Sequence, residues 1–178
     1  MFRINLFVIL LLTAFSLNAQ LRVNIGGHLG GGTIKGESPS VGSFNASLFI
    51  ETNTVLFAEV TPRLGYFFAK DFNVLLPNSR KAYFPYMQGI YFKGITTQYF
   101  SGKIFLEEGV GLLAINDRTF NDTNLWAYGV VLSIAGGWDL RGFNLDGFRL
   151  GAGVDYGITF NKSLPQYTSI HLCFNYSI

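Results

Sequence analysis

The residues best suited to chemistry lie near the end of the chain, where Ser169 and His171 are separated by a single residue. A serine hydroxyl near an imidazole can serve as a nucleophile with its general base, provided that a third group orients the imidazole. Adjacency in sequence does not supply that positioning. We therefore interpret the pair as polar side chains of a strand, and we predict no catalytic residue.

A glycine-rich segment, residues 26–32, surrounds His28 and has the composition of a phosphate-binding loop. Such a loop must open a helix, and no helical period follows it. The glycines instead predict a strand that bends and packs closely against its neighbours. Two histidines without ligand spacing and a single cysteine, Cys173, do not suggest a metal site or a redox motif. We therefore predict no cofactor.

The elements that must position these residues are strands. Hydrophobic residues make up 49% of the chain and charged residues only 13%, against roughly 25% charged residues in soluble domains. No apolar run after the first twenty residues reaches the roughly 20 residues of a membrane-spanning helix. Period-two segments between turn residues predict about eight strands, near residues 21–33, 43–51, 54–69, 84–99, 102–115, 125–139, 147–160 and 167–178.

The first nineteen residues have the pattern of a cleaved signal peptide. Arg3 gives a positive start, Leu6 to Leu12 form a short apolar core, and Ala19 offers a small residue before the cleavage point. The predicted organisation is thus a signal peptide over residues 1–19 and one barrel domain over residues 20–178. Because the mature chain is close to neutral and has no basic cluster, nucleic-acid binding is not predicted.

The last three strands alternate most clearly. Bulky residues such as Trp126, Leu150 and Phe174 share one face, whereas glycine, alanine and a few charged residues share the other. A soluble barrel would expose the second face, which has too little Lys and Glu to keep it soluble. A membrane barrel turns the bulky face to lipid. We therefore predict an all-β fold, a single closed antiparallel up-and-down transmembrane β-barrel of about eight strands with a packed polar interior.

Two sets of residues follow from this arrangement. Aromatic residues spaced to cover roughly 30 Å of membrane normal are predicted at the membrane interfaces: Tyr66, Trp126, Trp138, Phe148, Phe160, Phe174 and Tyr176. Residues on the inward faces are predicted to form a lumen network of ion pairs and hydrogen bonds: Arg22, His28, Glu51, Glu59, Arg63, Lys93, Lys103, Glu107, Arg149, Asp155 and His171. Glu108 would point outward beside Glu107, so a β-bulge or a shifted register is expected there.

The loops give the expected orientation. With both chain ends in the periplasm, outer loops are predicted at 34–42, 70–83, 116–124 and 161–166, and inner turns at 52–53, 100–101 and 140–146. Outer-membrane barrels favour long outer loops and short inner turns. The outer loop 70–83 combines an apolar stretch with Arg80 and Lys81. It could bind a partner protein or the phosphates of surface lipopolysaccharide.

With these features the chain resembles the small outer-membrane β-barrel proteins of the OmpA and OmpX type. It is especially similar to barrel-only proteins of Bacteroidota, whose signal peptides often end, as here, in Asn18-Ala19-Gln20. The alternating Phe174 and Tyr176 resemble the terminal signal read by the barrel-assembly machinery. The resemblance implies a location in the cell outer membrane of a Gram-negative bacterium, lipopolysaccharide and other outer-membrane lipid as surroundings, and insertion by that machinery.

The predicted function is a structural or interaction role through the outer loops, with no open pore because side chains fill a barrel of eight strands. Two alternatives stay open. One is an enzyme that modifies outer-leaflet lipid, similar to the lipid A deacylases of the PagL type, which use a His-x-Ser pair where this chain has the reversed order at residues 169–171. The other is a secreted soluble barrel that binds an apolar ligand.

Overall fold

Eight antiparallel strands form the fold. The computed structural model describes residues 23–52, 59–77, 79, 81–142, 146–161 and 164–178. The strands are β1 (Val23–Lys35), β2 (Val41–Thr52), β3 (Val60–Asp71), β4 (Tyr86–Phe100), β5 (Ile104–Arg118), β6 (Leu125–Asp139), β7 (Gly147–Thr159) and β8 (Gln166–Ser177), with a short 3-10 helix, Phe72–Leu75, after β3. In the described part of the chain, no helix has the length and apolar character needed to cross a membrane.

Each strand pairs with the next one along the chain, and β8 pairs with β1. The prediction of a closed eight-stranded up-and-down barrel is confirmed. The predicted strands agree with the observed ones to within a few residues, except that the predicted start of the third strand, at 54, falls outside the described residues. The predicted signal peptide and Arg22 also lie outside them.

The strands are staggered around the barrel. A row of paired residues that starts at Arg118 on β5 passes through β4, β3, β2, β1, β8, β7 and β6, and returns to β5 at Glu108. This stagger makes the strands tilt relative to the barrel axis. The ladder is continuous through Glu107 and Glu108, which pair with Thr97 and Thr96. The expected bulge or shift is therefore wrong: Glu107 points into the lumen and Glu108 points out.

The outer surface of the barrel is apolar. Trp126, Leu150 and Phe174 are 50%, 44% and 41% exposed, and the bulky residues that alternate with them along β6, β7 and β8 also face outward. The alternation of bulky and small residues in the sequence predicts these outward and inward faces, because successive side chains of a strand point to opposite sides of the sheet. The large apolar side chains thus surround the barrel, and the small and charged ones lie within it.

The interior differs from the predicted polar lumen, because the half nearer the β3–β4 loop is largely apolar. A cluster of buried hydrophobic residues fills that half, and it includes Ile34, Phe67, Ala69, Met87, Leu113, Ile115, Val131 and Tyr167. These side chains exclude water without requiring ion-pair partners. Most of the buried charged residues occupy the middle of the lumen and its other half, whereas the buried carboxylates of Asp71 and Asp117 lie at the mouth beside the β3–β4 loop.

Aromatic rings in the lumen lie over glycines of the neighbouring strand. Phe49 is paired with Gly26, and Tyr91 with Gly65. A Cβ atom added at either glycine would overlap the facing ring. Phe67 with Gly89 and Tyr167 with Gly157 repeat the arrangement. These four glycines are thus required because they let large rings lie flat against the wall of a narrow barrel.

Candidate functional site

The first part of the lumen network is a chain of alternating charges in the half nearer the chain ends. Arg63 donates through Nε to Glu51 at 2.7 Å and through NH2 to Glu107 at 2.8 Å. Arg149 NH2 lies 2.6 Å from the other carboxylate oxygen of Glu107. Asn24 donates to Glu51 at 3.0 Å. Two carboxylates and two guanidinium groups neutralise one another here, which offsets the cost of burying each charge.

Aromatic rings support the cations of this network. The guanidinium of Arg63 lies 4.3 Å from the centre of the Phe49 ring, and that of Arg149 lies 4.1 Å from the Phe105 ring. Cations at these distances are attracted to the ring face. The Phe49 ring lies between Arg63 and the wall glycine Gly26, so packing and charge together hold this part of the network in place.

The second part of the network lies at mid-lumen. Lys93 Nζ donates to both oxygens of Asp155, at 3.1 and 3.3 Å. His28 Nδ1 lies 3.8 Å from the same carboxylate, and the His28 and His171 rings stack with centroids 4.0 Å apart. Ser169 Oγ lies 3.3 Å from His171 Nδ1. Histidines that are far apart in sequence are thus brought together because β8 closes the barrel against β1.

This cluster contains the residue types of a metal site. The ligand atoms of His28, Asp155 and His171 lie within 4.8 Å of one another. Spacing along the chain does not reveal this grouping, because His28 and His171 meet only when the barrel closes. The ammonium of Lys93 already occupies both oxygens of Asp155, and a divalent cation would add uncompensated positive charge beside it. The geometry therefore fits an ion-pair and hydrogen-bond cluster better than a metal centre.

The same residues form the serine, histidine and carboxylate set considered for an enzyme. Ser169, His171 and Asp155 are all buried within the lumen. The cavity that adjoins Asp155 and Ser169 has a volume of about 10 Å³, which is close to the space of one water molecule. A lipid substrate in the outer leaflet would meet the opposite face of the strands, so this set lacks the exposure that a lipid-modifying enzyme needs.

Two predicted members of the network lie elsewhere. Glu59 and Lys103 are exposed in the turns at the start of β3 and β5. They were assigned to the lumen because the predicted strands extended into these turns, where alternation no longer holds. Of the other predicted members, the described ones are buried in the lumen.

A contact group that was not predicted from the sequence lies at the mouth near the chain ends. Arg141 donates to Asp139 at 2.9 Å and to the Tyr99 hydroxyl at 2.7 Å. Its hydrogen bonds to the Asp139 carboxylate hold the pKa of Arg141 above its ordinary value. Asp139 is the last inward residue of β6, a position that alternation could have identified. The partner in the following turn could not be found in this way.

The predicted interface aromatics all point outward and are exposed. Trp126 and Phe160 lie at the end of the barrel that carries the β3–β4 loop, whereas Trp138, Phe148 and Tyr176 lie at the other end. Tyr66 and Phe174 are nearer the middle of their strands. The aromatic residues thus form two groups near opposite ends of the barrel wall, and the remaining two stand between them.

Neither a protein-family model nor a curated protein matches the sequence. Solved structures do match. Neisserial surface protein A (NspA) has a TM-score of 0.67 at 8% identity, over 89% of this chain and 97% of that one. Ail, the attachment invasion locus protein of Yersinia pestis, has a TM-score of 0.51 at 8% identity, over 89% and 99%. Both are small outer-membrane barrels of eight strands.

The chain has the fold of these small outer-membrane barrels. The resemblance expected from the strand pattern is therefore confirmed at the level of architecture. At 8% identity the likeness concerns the fold alone, and the assignment to Bacteroidota stays a prediction.

Proposed function

We propose that the protein is an integral barrel of the bacterial outer membrane that conducts no solute and acts through its outer loops. The observation that carries this proposal is the exposed apolar surface around the barrel. An exposed apolar surface of this extent is unfavourable in water, and lipid is the solvent that matches it. The structural neighbours support the same location.

The packing of the lumen supports the proposed absence of conduction. Phe67 and Tyr167 stack with ring centres 4.3 Å apart across the outer half. Further from the β3–β4 loop, Lys93, Asp155 and the ion pairs around Glu107 are buried in the lumen. A barrel of eight strands has an interior that side chains can fill. We therefore assign a structural or interaction role rather than a transport role.

The β3–β4 loop is the best-formed surface for such an interaction. Asp71 accepts from the backbone N–H of Asn73 at 2.9 Å and from Lys81 Nζ at 2.9 Å. The Tyr83 hydroxyl donates to the Arg118 carbonyl at 2.6 Å, and burial raises the pKa of this phenol. These bonds hold the described residues of the loop against the barrel. Its exposed apolar side chains, Phe72, Leu75 and Leu76, offer a surface to a partner protein.

Outer-membrane lipid, including lipopolysaccharide, is the proposed environment, and the barrel-assembly machinery is the proposed partner during insertion. An enzyme of the outer leaflet is a weaker candidate, since the serine and histidine lie in the lumen. A soluble ligand-binding barrel is weaker as well, since it would have to expose the bulky wall to water.

Membrane fractionation followed by gel electrophoresis tests the proposal. We expect the protein in the outer-membrane fraction, with a band that migrates differently before and after boiling, because a folded barrel resists unfolding by detergent. In planar bilayers, we expect no stable conductance. Recovery as a soluble periplasmic protein without detergent would refute the membrane location, and a stable open channel would refute the closed lumen.

Orientation has a separate test with a matched control. Leu75→Cys, in the β3–β4 loop, should react with a membrane-impermeant maleimide on intact cells. Lys103→Cys, in the turn between β4 and β5, should react only after the outer membrane is opened. The reverse pattern would place the β3–β4 loop in the periplasm and contradict the proposed role.

A further inference from the structure

The outer wall of the barrel has a groove over Ala46, whose small side chain is surrounded by large ones. Ala46 on β2 points outward and is paired with Leu29 on β1 and Phe68 on β3. Leu48 and Tyr66 flank it on the side nearer the chain ends. The groove has a volume of about 330 Å³. Because its walls are apolar and face away from the lumen, it suits a hydrocarbon chain.

The outer end of the groove leads to two cations. Phe68 lies 5.7 Å from the Tyr86 ring, centre to centre. Tyr86 in turn is paired with Lys70 on one side and Arg118 on the other. Lys70 and Arg118 therefore stand on alternate strands with a tyrosine between them, roughly 10 Å apart at the backbone. All three residues point outward near the ends of their strands.

These two cations differ from those of the lumen in their partners. Among the described residues, neither Lys70 nor Arg118 takes part in a salt bridge. Arg118 Nε donates to the neutral side chain of Asn116 at 3.2 Å. Long basic side chains at this position can extend along the wall to the headgroup level, where their charge would meet the phosphates of the membrane lipids.

We propose that the outer wall of β2 to β5 is a binding site for a phosphorylated lipid of the outer leaflet. An acyl chain lies in the groove over Ala46, and the phosphate lies between Lys70 and Arg118. The inference rests on the proposed membrane location and adds a specific partner to it. The groove supplies apolar contact and the cations supply charge complementarity, so the site should require both parts of the lipid.

The test measures lipid retained by the purified protein. The full chain is extracted in mild detergent and transferred to nanodiscs that contain bisphosphorylated lipid A or its dephosphorylated form, and bound lipid is counted by native mass spectrometry. Wild-type protein should retain more of the phosphorylated form. Lys70→Gln and Arg118→Gln should each lower that retention about fivefold, because one cation near a headgroup surface contributes a factor of that size.

Matched variants separate the two parts of the site. Ala46→Phe should fill the groove and lower retention of both lipid forms, whereas Ala152→Phe, on the outer face of β7, should not. Lys103→Gln, a cation at the opposite end, should leave retention unchanged. Equal retention by wild type, Lys70→Gln and Arg118→Gln would overturn the proposal, as would displacement of the bound lipid by inorganic phosphate alone.

The gel shift on boiling distinguishes failure of the site from failure of the membrane proposal. A variant that shows the shift is a folded barrel, so an unchanged lipid count in that variant counts against the lipid site only. A wild-type protein that shows no shift and needs no detergent refutes both proposals.

Discussion

Replacing Glu107 with glutamine tests whether the charged half of the lumen stabilises the barrel. Glu107 is the link between two guanidinium groups, at 2.8 Å from Arg63 and 2.6 Å from Arg149. Arg63 would retain Glu51 after the substitution. Among the carboxylates that the structure describes, Arg149 would retain Asp139, which lies 3.9 Å from its Nε. One buried guanidinium group would therefore lose its close partner.

The magnitude follows from that loss. Removing one partner of a buried ion pair costs about 3 to 5 kcal/mol, because the remaining charge stays buried without compensation. The glutamine oxygen can still accept a hydrogen bond, so we expect about 3 kcal/mol for Glu107→Gln. The neighbouring Glu108→Gln removes the same charge from the outer face, where Glu108 is exposed. We expect that control to change stability by less than about 0.5 kcal/mol in either direction.

Urea unfolding of the barrel in phospholipid vesicles gives the measurement. Trp126 and Trp138 both face outward, so their fluorescence reports transfer from lipid to water. Adding Arg149→Met to the glutamine variant should recover part of the loss, since the uncompensated guanidinium is then removed. Equal unfolding midpoints for Glu107→Gln and Glu108→Gln, at equal denaturant dependence, would show that the lumen charges do not stabilise the fold.

Two further substitutions test other parts of the lumen. Gly65→Ala should destabilise the barrel by about 1 to 3 kcal/mol, because the new methyl group would overlap the Tyr91 ring. The control is Gly42→Ala, because no atom lies within 4 Å of the carbon added at Gly42. Equal effects of the two substitutions on urea unfolding would contradict the packing argument. Lys93→Met should cost about 3 to 5 kcal/mol by leaving Asp155 buried without its ammonium partner. The double variant with Asp155→Asn should recover most of that loss, and a double variant as unstable as the sum of both single variants would argue against their coupling.

The sequence predicts the fold well because alternation in a strand has a period of two. Once a strand is recognised, each side chain is assigned to one face, and Trp126, Leu150 and Phe174 are correctly placed outside. The prediction weakens at strand ends. The alternation predicts that Glu59 and Lys103 point inward, but both residues lie in turns. The prediction is wrong because the pattern does not show where a strand ends.

Position along the barrel axis was harder to predict. Alternation shows that Tyr167 and His171 both point inward, but it does not show that one joins the apolar half and the other the charged cluster. That division depends on how far each strand is shifted against the next. The contact between His28 and His171 depends on the pairing of β8 with β1 that closes the barrel. No local sequence pattern predicts that pairing.

Part of the lumen consists of three successive layers. The first is a glycine of one strand, the second is an aromatic ring from the next strand, and the third is a cation that lies over the ring. Gly65, Tyr91 and Lys93 form one such set, and Gly26, Phe49 and Arg63 form another. A methyl group added to either wall glycine would displace the ring and, through it, the charged group and its carboxylate partner. Substitutions in the wall and in the ion pairs should therefore be strongly non-additive, so these glycines and charges are expected to vary together rather than singly during evolution.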